Sequence, residues 1–589
     1  MLRFLSRLAA FGIIGKLTCR SIPGDATWPS AEDWSRLNTT VNGRLGATVP
    51  LGHVCHDPTY NETQCAELID RIIKNGADVF EPHPGEIMNP YIENSTCSPF
   101  TPASLPCSLG NRPPYAIAVA GAADVQAGLR FAHENNVRLM VKSTGIDYMG
   151  KSAGLGSLVL WMYNLKTIHV MSDFASKAYS GPAVKLGSGV IAGEAYEAAS
   201  AAGYRIVAPE CGLTGVVGGY IQGAGHSQLT TAYGMAADQV LEWELVTPAG
   251  DYVIATPENN TDLYWALSGG GGGTYGVVLS ATIRAYPDGP VAGGTLVVEN
   301  TNSKAFWEAI SIWFHQAPSF IDDTPNNIQF LVTSKAFIVF AFVLPDQHTP
   351  AIDTLLSSFL LELNARGLSY DLKTSQASTY VESFVRSYGE LPYGNLCPNY
   401  PIISSRLIPR STVLDMAANA ELMDVYRSIT ADGSWFIGCS IINAASNSTI
   451  RQPHPPNSVH PAWRSAIAYC NPNRPWDWED HKGSMAAKHK LVREYFPAME
   501  AATPGSGVYL NEIDPLYQGD WKKTMYGPNY ERLLDIKHRH DPHKLMYAPF
   551  AVGADEFTLD GAGRLCVGGS TRYRWAWPQW RWTRNKTEL

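Results

Sequence analysis

The sequence predicts a fold of mixed helices and strands, and three stretches of the chain indicate it. Residues 115–162 show the pattern of a strand, a helix and two further strands. Residues 237–257 follow as a strand, a Pro-Ala-Gly-Asp turn and a second strand. After Pro287, strand-like and helical stretches alternate, and a chain of 589 residues has room for more than one domain.

The spacing of apolar residues predicts where the individual strands and helices lie. In the first half, it predicts strands at 115–119, 138–142 and 157–162 and a helix with apolar spacing from Val125 to Ala132. Between Gly293 and Glu500, it predicts strands at 327–332, 336–343 and 435–442 and helices at 304–316 and 351–363. This change of character after Pro287 indicates a second domain.

Composition narrows the choice of partners. Hydrophobic residues make up 45% of the chain and charged residues 17%, which is ordinary for a soluble globular protein. The formal net charge of −9 argues against nucleic acid or an anionic membrane as a partner. The composition therefore argues against these two partners, while the oligomeric state stays open.

The N-terminus resembles a secretory signal. It has a basic start and a short apolar run, Leu8 to Ile14, which cannot span a membrane. A frayed N-terminal helix is the alternative. Triplets of the form N-x-[ST], which matter only in the secretory pathway, begin at Asn38, Asn61, Asn94, Asn259, Asn447 and Asn585. We predict a secreted or secretory-pathway, N-glycosylated protein.

The ten cysteines fit an oxidising compartment. Cys55 with Cys65, and Cys97 with Cys107, lie at loop-closing distance without zinc-ligand spacing, which predicts two disulfides. Partners cannot be read from the sequence for Cys19, Cys397, Cys439, Cys470 and Cys566. The histidines of K-H-R-H-D-P-H-K, residues 537–544, match no standard metal site, so we expect a solvated loop there and no metal.

Two glycine clusters lie between Glu210 and Pro287. The first contains Gly215, Gly218, Gly219, Gly223 and Gly225, and the second is the run from Gly269 to Gly273. Glycine lets backbone N–H groups approach a bulky anionic ligand closely, which suits a large phosphate-bearing cofactor. Turns between buried strands are the alternative. The pattern is neither a Rossmann fingerprint nor a Walker loop.

A further candidate cofactor contact follows the strand at 138–142. The sequence K-S-T-G-x-D-Y, residues 142–148, combines a lysine, two hydroxyls and several backbone N–H groups. This combination suits a pyrophosphate, although a plain surface turn is the alternative.

Four motifs together resemble those of the berberine-bridge-enzyme-like oxidases. The first is Lys142 to Gly150, the second Glu210 to Ser227 and the third Ala266 to Val278. The last comprises Tyr509 to Glu512 and then Gly527 to Pro542. Proteins of this family have an FAD-binding domain of the vanillyl-alcohol-oxidase/p-cresol-methylhydroxylase (PCMH) type, and the resemblance runs from Trp28 onwards.

The resemblance implies an α+β fold, FAD as the cofactor and a two-part PCMH-type FAD-binding domain. It also implies a substrate domain with a large antiparallel sheet covered by helices. The expected divisions are a signal peptide at 1–21, the disulfide-rich N-terminal part of the FAD domain at 22–110, its main part at 111–290, the substrate-binding domain at 291–500 and a berberine-like C-terminal segment at 501–589.

The family motifs also imply which residues contact the cofactor. These are Lys142, Ser143, Thr144, Gly145, Ile146, Asp147, Tyr148, Cys211, Gly212, Leu213, Thr214, Gly215, Gly218, Gly219, Gly223, His226, Gly276, Val277 and Asn529.

Two positions depart from the family pattern. The histidine that carries the flavin 8α bond is replaced by Ile146, whose side chain cannot form that bond. Cys211, which in some members bonds the flavin at C6, is retained, so the resemblance implies FAD held by Cys211 alone or without a covalent bond. Ala224 stands where the family usually has glycine.

An oxidase of this family passes a hydride to flavin N5 while a base removes a proton from the substrate, and O₂ reoxidises the flavin to give H₂O₂. The motifs make Tyr509, Glu512 and Tyr530 the candidates for the base, with Arg406 as the candidate partner of a carboxylate or an oxyanion. Each has a structural alternative, such as bracing the domain junction.

Three functions are consistent with the sequence. The first is an FAD-dependent oxidase that acts on an alcohol, amine or activated C–H of a small natural product, in secondary-metabolite biosynthesis. The second is a flavoprotein that catalyses cyclisation, dehydration or isomerisation without net oxidation. The third is a carbohydrate oxidase, against which Ile146 argues because such oxidases usually carry a doubly linked flavin.

Overall fold

The computed structural model describes residues 18–74, 79–89, 91, 96–394, 402–445 and 451–568. The two ends of this range meet in a small antiparallel sheet. Its strands, in order, are Thr18–Cys19, Leu565–Val567 and Phe557–Leu559. A disulfide joins Cys19 to Cys566 within it. The signal boundary expected at residue 21 stays a prediction, and cleavage there would remove this strand and half of the disulfide.

The first part of the cofactor domain is a four-stranded mixed sheet. Its strands, in order, are Leu45–Ala47, Tyr115–Ala118, Ser157–Trp161 and Arg138–Lys142. The last three run parallel. The crossover helix Ala122–Glu134 buries Val125 and Leu129, as its apolar spacing predicts. Helix Ala31–Thr40 packs beside it and begins with a capping box between Ser30 and Asp33.

The second part of the cofactor domain is a five-stranded antiparallel sheet. Its strands, in order, are Tyr252–Ala255, Val240–Val246, Val277–Arg284, Ser180–Gly187 and Ile168–Ala175. Val277–Arg284 is buried along its whole length. The predicted hairpin at 237–257 is confirmed, because Tyr252 pairs with Val246.

The substrate domain is built on an eight-stranded antiparallel sheet. Its main path runs through Tyr370–Ala377, Val291–Glu299, Ala336–Pro345, Asn327–Val332, Phe436–Ile441, Ala466–Arg474 and Ile402–Ile403, and Arg406–Pro409 also pairs with Ala466–Arg474. The predicted α+β class and large antiparallel sheet are confirmed. The strand predicted at 327–332 matches the observed bounds.

Helices cover this sheet and connect the layers. Those of the substrate domain are Ser303–Ile321, Pro350–Ala365, Tyr380–Tyr388, Arg410–Leu414, Met416–Thr430, His481–Lys490 and Phe496–Ala502. The others are Glu62–Lys74, Ala192–Ala201, Thr230–Tyr233, Thr261–Leu267, Trp521–Tyr526 and Tyr530–His540. Shorter helical turns occupy Leu51–Cys55, Val216–Tyr220, Ala236–Gln239, Pro461–Arg464, Leu491–Tyr495, Gly527–Asn529 and Ala554–Glu556. None of the described helices combines the length and hydropathy needed to cross a bilayer.

Disulfides join cysteines that lie both close together and far apart in the sequence. The predicted pairs Cys55–Cys65 and Cys97–Cys107 are both present. Cys439 and Cys470, on neighbouring strands, form a pair that the sequence left unassigned. Cys397 lies outside the described residues.

The loop expected around residues 537–544 is instead largely helical. Helix Tyr530–His540 carries His538 and His540 in its last turn. His538 Nε2 lies 2.6 Å from Glu556 Oε1, and His540 Nε2 lies 3.0 Å from Asp262 Oδ2. These side chains therefore pair with single carboxylates on different elements. The helix ends at His540, two residues before Pro542, which cannot continue it.

Candidate active site

A deep cleft runs between the cofactor domain and the C-terminal segment. It encloses about 1340 Å³ of space, open solvent at its mouth included. Three regions line one wall, which we call the cofactor wall: residues 143–152, 209–226 and 272–278. The other side contains Tyr509, Asn511 and Glu512. The cleft thus brings together residues of the first three motifs and the Tyr509 to Glu512 part of the fourth.

The loop at 143–152 is held in shape by its own carboxylate. Asp147 accepts hydrogen bonds from the backbone N–H groups of Met149, Gly150 and Ser152 and from the Ser152 hydroxyl. The Ser143 hydroxyl donates to the Ser188 carbonyl at 2.7 Å. Because these bonds are internal to the protein, the loop is organised before any ligand binds.

Glycines line the other parts of the cofactor wall and leave room on the cleft side. A Cβ added at Gly219 would meet no atom closer than Asn511 Oδ1 at 3.9 Å. At Gly273, where φ is +69°, the nearest atom would be Ala548 Cβ at 4.0 Å. By contrast, a Cβ at Gly215 would lie 2.3 Å from Ser143 Oγ. Gly215 therefore lets two segments pack together, whereas Gly219 and Gly273 keep space for a ligand.

The cleft contains many of the predicted cofactor contacts and omits others. Those that line it are Ser143, Thr144, Gly145, Ile146, Asp147, Tyr148, Cys211, Thr214, Gly215, Gly218, Gly219, His226 and Gly276. Those that do not line it are Lys142, Gly212, Leu213, Gly223, Val277 and Asn529.

Three of the residues outside the lining have packing roles. The Asn529 amide donates to the carbonyls of Ser458 and Val459. At Gly223, a Cβ would lie 2.4 Å from Asn511 Nδ2, and at Gly212, 2.4 Å from the Pro392 carbonyl oxygen. These glycines are needed for close contact between segments.

Lys142 does not supply the cation that its motif suggested. Its side chain is fully buried, and Nζ donates to the carbonyls of Phe80, Glu81 and His83. The ammonium group therefore ties the strand at 138–142 to the N-terminal part of the domain.

Cys211 is disulfide-bonded in this structure, although it lies in the lining of the cleft. A sulfur in a disulfide has no thiolate with which to attach a flavin. Ile146 also lines the cleft, with a side chain that cannot form such a bond.

The wall opposite the glycines is formed by the segment from Tyr509 to Asp514. The Ser405 hydroxyl accepts from Tyr509 N at 3.0 Å, and the Ser404 hydroxyl accepts from Asp514 N at 2.9 Å. Asp514 also forms a fully buried ion pair with Lys488, with Oδ2 and Nζ 2.5 Å apart. Glu512 lies between these two anchors, so its backbone position is fixed by the substrate domain.

Glu512 is the candidate base that the geometry supports. Burial raises the pKa of its carboxyl to about 7, with His226 acting against this rise and Glu210 adding to it. Asn471 Nδ2 lies 3.4 Å from Glu512 Oε2, and Asn471 also donates to the Tyr469 hydroxyl at 2.6 Å. A carboxyl with a pKa near neutrality can both accept and return a proton at physiological pH.

His226 lies among aromatic rings next to a second carboxylate. Its ring centroid is 4.5 Å from that of Tyr469 and 5.0 Å from that of Tyr509. Its Nδ1 lies 3.5 Å from Glu210 Oε1. Burial acts to lower the pKa of the imidazole, but the carboxylates of Glu210 and Glu512 outweigh it, and the pKa is raised. The sequence implied only cofactor contact for this histidine.

Glu210 is anchored from the substrate domain. Gln329, on a strand of the large sheet, donates from Nε2 to Glu210 Oε1 at 2.7 Å. The sequence showed Glu210 within a motif but gave it no role, and Gln329, Tyr469 and Asn471 carried no signal at all. All three lie on strands of the large sheet, and only the folded chain brings them to the second motif.

Two of the four candidate catalytic residues lie away from the cleft. The Arg406 guanidinium is buried and donates to the hydroxyl and carbonyl of Thr503 at 2.9 and 2.8 Å. The Tyr530 hydroxyl donates to Asp555 and accepts from Gly553 N. Neither lines the cleft, whereas Tyr509 and Glu512 do.

Comparisons with known proteins agree with this geometry. Residues 113–256 match a family model described as an FAD binding domain, and residues 508–552 match one described as berberine and berberine-like. The bifunctional decalin synthase of Penicillium decumbens is 45% identical over 561 residues, covering 93% of this chain and 95% of the relative. This chain belongs to the berberine-bridge-enzyme-like FAD-linked oxidoreductases.

Solved structures of relatives share the whole architecture of this FAD-linked oxidoreductase. A vanillyl-alcohol-oxidase-type flavoprotein from Myceliophthora thermophila is 42% identical and superposes with a TM-score of 0.90, covering 94% of this chain and 100% of its own. Berberine bridge enzyme from Eschscholzia californica, at 17% identity and a TM-score of 0.67, covers 88% of this chain and 98% of its own. At that identity the likeness shows the fold alone.

The cleft of this oxidoreductase fits FAD. Gly219 and Gly273 leave open the backbone surface that a large cofactor needs. Among the groups that the structure describes, the buried Gln222 Oε1 has no hydrogen-bond partner and lies in the lining, where it can accept from a ligand N–H. Ser143, Thr144 and the glycines at 215–219 would hold the cofactor.

Proposed function

We propose that this flavoenzyme oxidises an alcohol, an amine or an activated C–H of a small natural product, with O₂ as the electron acceptor and H₂O₂ as the second product. The observation that carries the proposal is the Glu512 carboxyl, with a pKa of about 7, in the cleft that also holds the glycine-lined cofactor surface. A base poised near neutrality opposite a hydride acceptor is what such an oxidation requires.

FAD, when bound, supplies the hydride acceptor. On the protein side, Glu512 takes the proton from the substrate O–H or N–H as the adjacent C–H bond breaks. His226 and Glu210 set the charge around that carboxylate, since both are electrostatically coupled to it. Tyr509, whose hydroxyl accepts from Asn511 Nδ2 at 2.9 Å, orients the substrate, and the surrounding rings exclude water.

FAD is held without a covalent bond in this proposal. The support comes from Ile146, which replaces the histidine of the family, and from the disulfide at Cys211. Acid precipitation of the purified protein should release all yellow flavin into the supernatant. Flavin that stays with the precipitate in wild type but is released from Cys211→Ala would instead establish a cysteinyl bond.

The direct test of the oxidase reaction is a panel of alcohols, amines and activated hydrocarbons of natural-product type. A true substrate bleaches the flavin absorbance without oxygen and releases H₂O₂ in air, with one peroxide per product. If product forms without bleaching and without peroxide, oxidation is not the reaction.

A second candidate is ring formation without net oxidation. It is favoured by the similarity to a relative whose name is bifunctional decalin synthase, and by a preorganised cleft able to hold a flexible chain in one conformation. Product of unchanged oxidation state, formed with the flavin still oxidised, would support this candidate. No feature of the described lining singles out a sugar as the substrate.

We also propose that the protein enters the secretory pathway. The described disulfides support this, as do the exposed acceptors Asn61 and Asn259. The candidate signal segment is largely outside the described residues, as are Asn94, Asn447 and Asn585. Enzymatic deglycosylation of protein secreted by a eukaryotic host should lower its mass, and an unchanged mass would contradict N-glycosylation.

A further inference from the structure

The lining of the cofactor cleft is rich in carboxylates, although the FAD that it binds is itself negatively charged. Its lining contains the carboxylates of Asp147, Glu210 and Glu512. The pyrophosphate of FAD adds further negative charge. Of the described residues that line the cleft, only one is a lysine or arginine, and it is Lys151. The motif suggested Lys142 as the cation that contacts the pyrophosphate, but its ammonium donates hydrogen bonds to three backbone carbonyls outside the cleft.

The Lys151 backbone is held on both sides. Asp147 accepts hydrogen bonds from Gly150 N at 2.9 Å and from Ser152 N at 2.8 Å. The position of the side chain along the loop is therefore set by the protein, as expected of a residue that positions a ligand.

Within the part of the chain that the structure describes, no residue accepts a hydrogen bond from the Lys151 ammonium or lies within ion-pair distance of it. Burial lowers the pKa of this lysine to about 8, against the attraction of Asp147. A half-buried cation that is not in contact with a counter-ion costs stability, and contact with a bound anion would remove that cost.

We propose that Lys151 is the residue that binds negative charge on FAD. The shared chemistry is an ammonium–oxyanion contact, which either the pyrophosphate or the flavin ring in its reduced, anionic form can supply. The proposal concerns the cofactor and does not depend on which substrate is oxidised.

The test compares Lys151→Met, Lys151→Arg and the charge-matched control Lys177→Met, whose lysine is exposed in a surface turn. FAD-free protein is titrated with FAD, and the dissociation constant is read from flavin fluorescence. We expect Lys151→Met to weaken FAD binding by about 10- to 100-fold. Lys151→Arg should stay within about threefold of wild type, because it keeps the positive charge.

The flavin midpoint potential separates the two sources of negative charge. A pyrophosphate contact predicts weaker binding with an unchanged potential. A contact to the reduced ring predicts a lower potential in Lys151→Met, because the anionic reduced form loses its counter-charge. Equal affinity and equal potential in Lys151→Met and Lys177→Met would overturn the proposal, as would a loss in Lys151→Arg as large as in Lys151→Met.

Preparing FAD-free protein relies on the non-covalent attachment proposed above. If acid leaves flavin with the precipitate, non-covalent attachment fails, and the same titrations are then made in a Cys211→Ala background, which lacks the cysteinyl bond. Circular dichroism of each variant confirms folding. Should Lys151→Met fail to fold, Lys151→Gln takes its place with the same expected outcomes.

Discussion

The two walls of the cleft are built in different ways. On the cofactor wall, backbone and small side chains dominate, with Gly215, Gly218 and Gly219 close together in the sequence. Across the cleft, the substrate side is made of large or titratable side chains that converge from distant elements. Glu512 from the C-terminal segment faces His226 from the second motif, and Asn471 from the large sheet lies behind it.

This difference determines what each wall can tolerate. The cofactor wall depends on glycines, which have no side chain. Its shape is therefore lost when a substitution adds a side chain that fills the open space. The substrate side depends on the charge of its titratable side chains. Its function is therefore lost when a charge is removed, even if the shape of the side chain is kept. Substitutions that alter only shape or only charge should therefore separate the two walls.

The largest effect is expected from Glu512→Gln, which keeps the shape and removes the base. We expect flavin reduction by substrate to slow by about 10²- to 10⁴-fold, the usual contribution of a general base. Flavin content should equal that of wild type. The measurement is anaerobic stopped-flow absorbance, with the exposed Glu479→Gln as the control. A rate near wild type would remove Glu512 from the mechanism.

The pH profile of the same rate should show the next largest effect. Burial raises the pKa of Glu512 to about 7, so its basic form is lost as the pH falls through that value. The reduction rate should fall about tenfold per pH unit below the apparent pKa and level off above it. Because Glu512 and His226 are coupled, the apparent pKa belongs to the pair. A reduction rate that stays constant over about three pH units, from roughly pH 5.5 to 8.5, would contradict the assignment of Glu512 as the base.

On the cofactor wall, Gly219→Val should weaken FAD binding by about tenfold or more, because a side chain then occupies space that the ligand needs. The strand residue Gly46 provides the control, since a Cβ there meets no atom within 4 Å and lies outside the lining. Fluorescence titration of FAD-free protein measures both variants. Equal affinities for Gly219→Val and Gly46→Val would show that this glycine does not face the cofactor.

The smallest effect on catalysis is expected from Arg406→Met. Its guanidinium ties Thr503 of the C-terminal segment to the substrate domain, so its loss should lower the unfolding midpoint by a few degrees, corresponding to about 1–3 kcal/mol. The flavin reduction rate should stay within about twofold of wild type. Differential scanning fluorimetry and stopped-flow absorbance test the two parts. A large loss of rate with an unchanged midpoint would return Arg406 to the candidate catalytic residues.

The sequence alone predicted those features of the site that are formed by residues close together in the chain. The glycine clusters and the loop at 143–152 are continuous segments, and FAD, the family and the α+β fold follow from them. Ile146 alone excludes the histidyl bond, because no conformation can give its side chain a nucleophile. Cys55 and Cys65 are close enough in sequence for their disulfide to be predicted.

Only the tertiary structure decided which side chains face the cleft. Lys142 begins the first motif and Lys151 directly follows it. Lys142 is buried against backbone carbonyls, whereas Lys151 lines the cleft. Cys19 and Cys566 are 547 residues apart, so no local pattern could pair them. The pKa of Glu512 depends on burial and on charges brought in by other elements. Such properties arise from long-range packing, which a sequence encodes only through the whole fold.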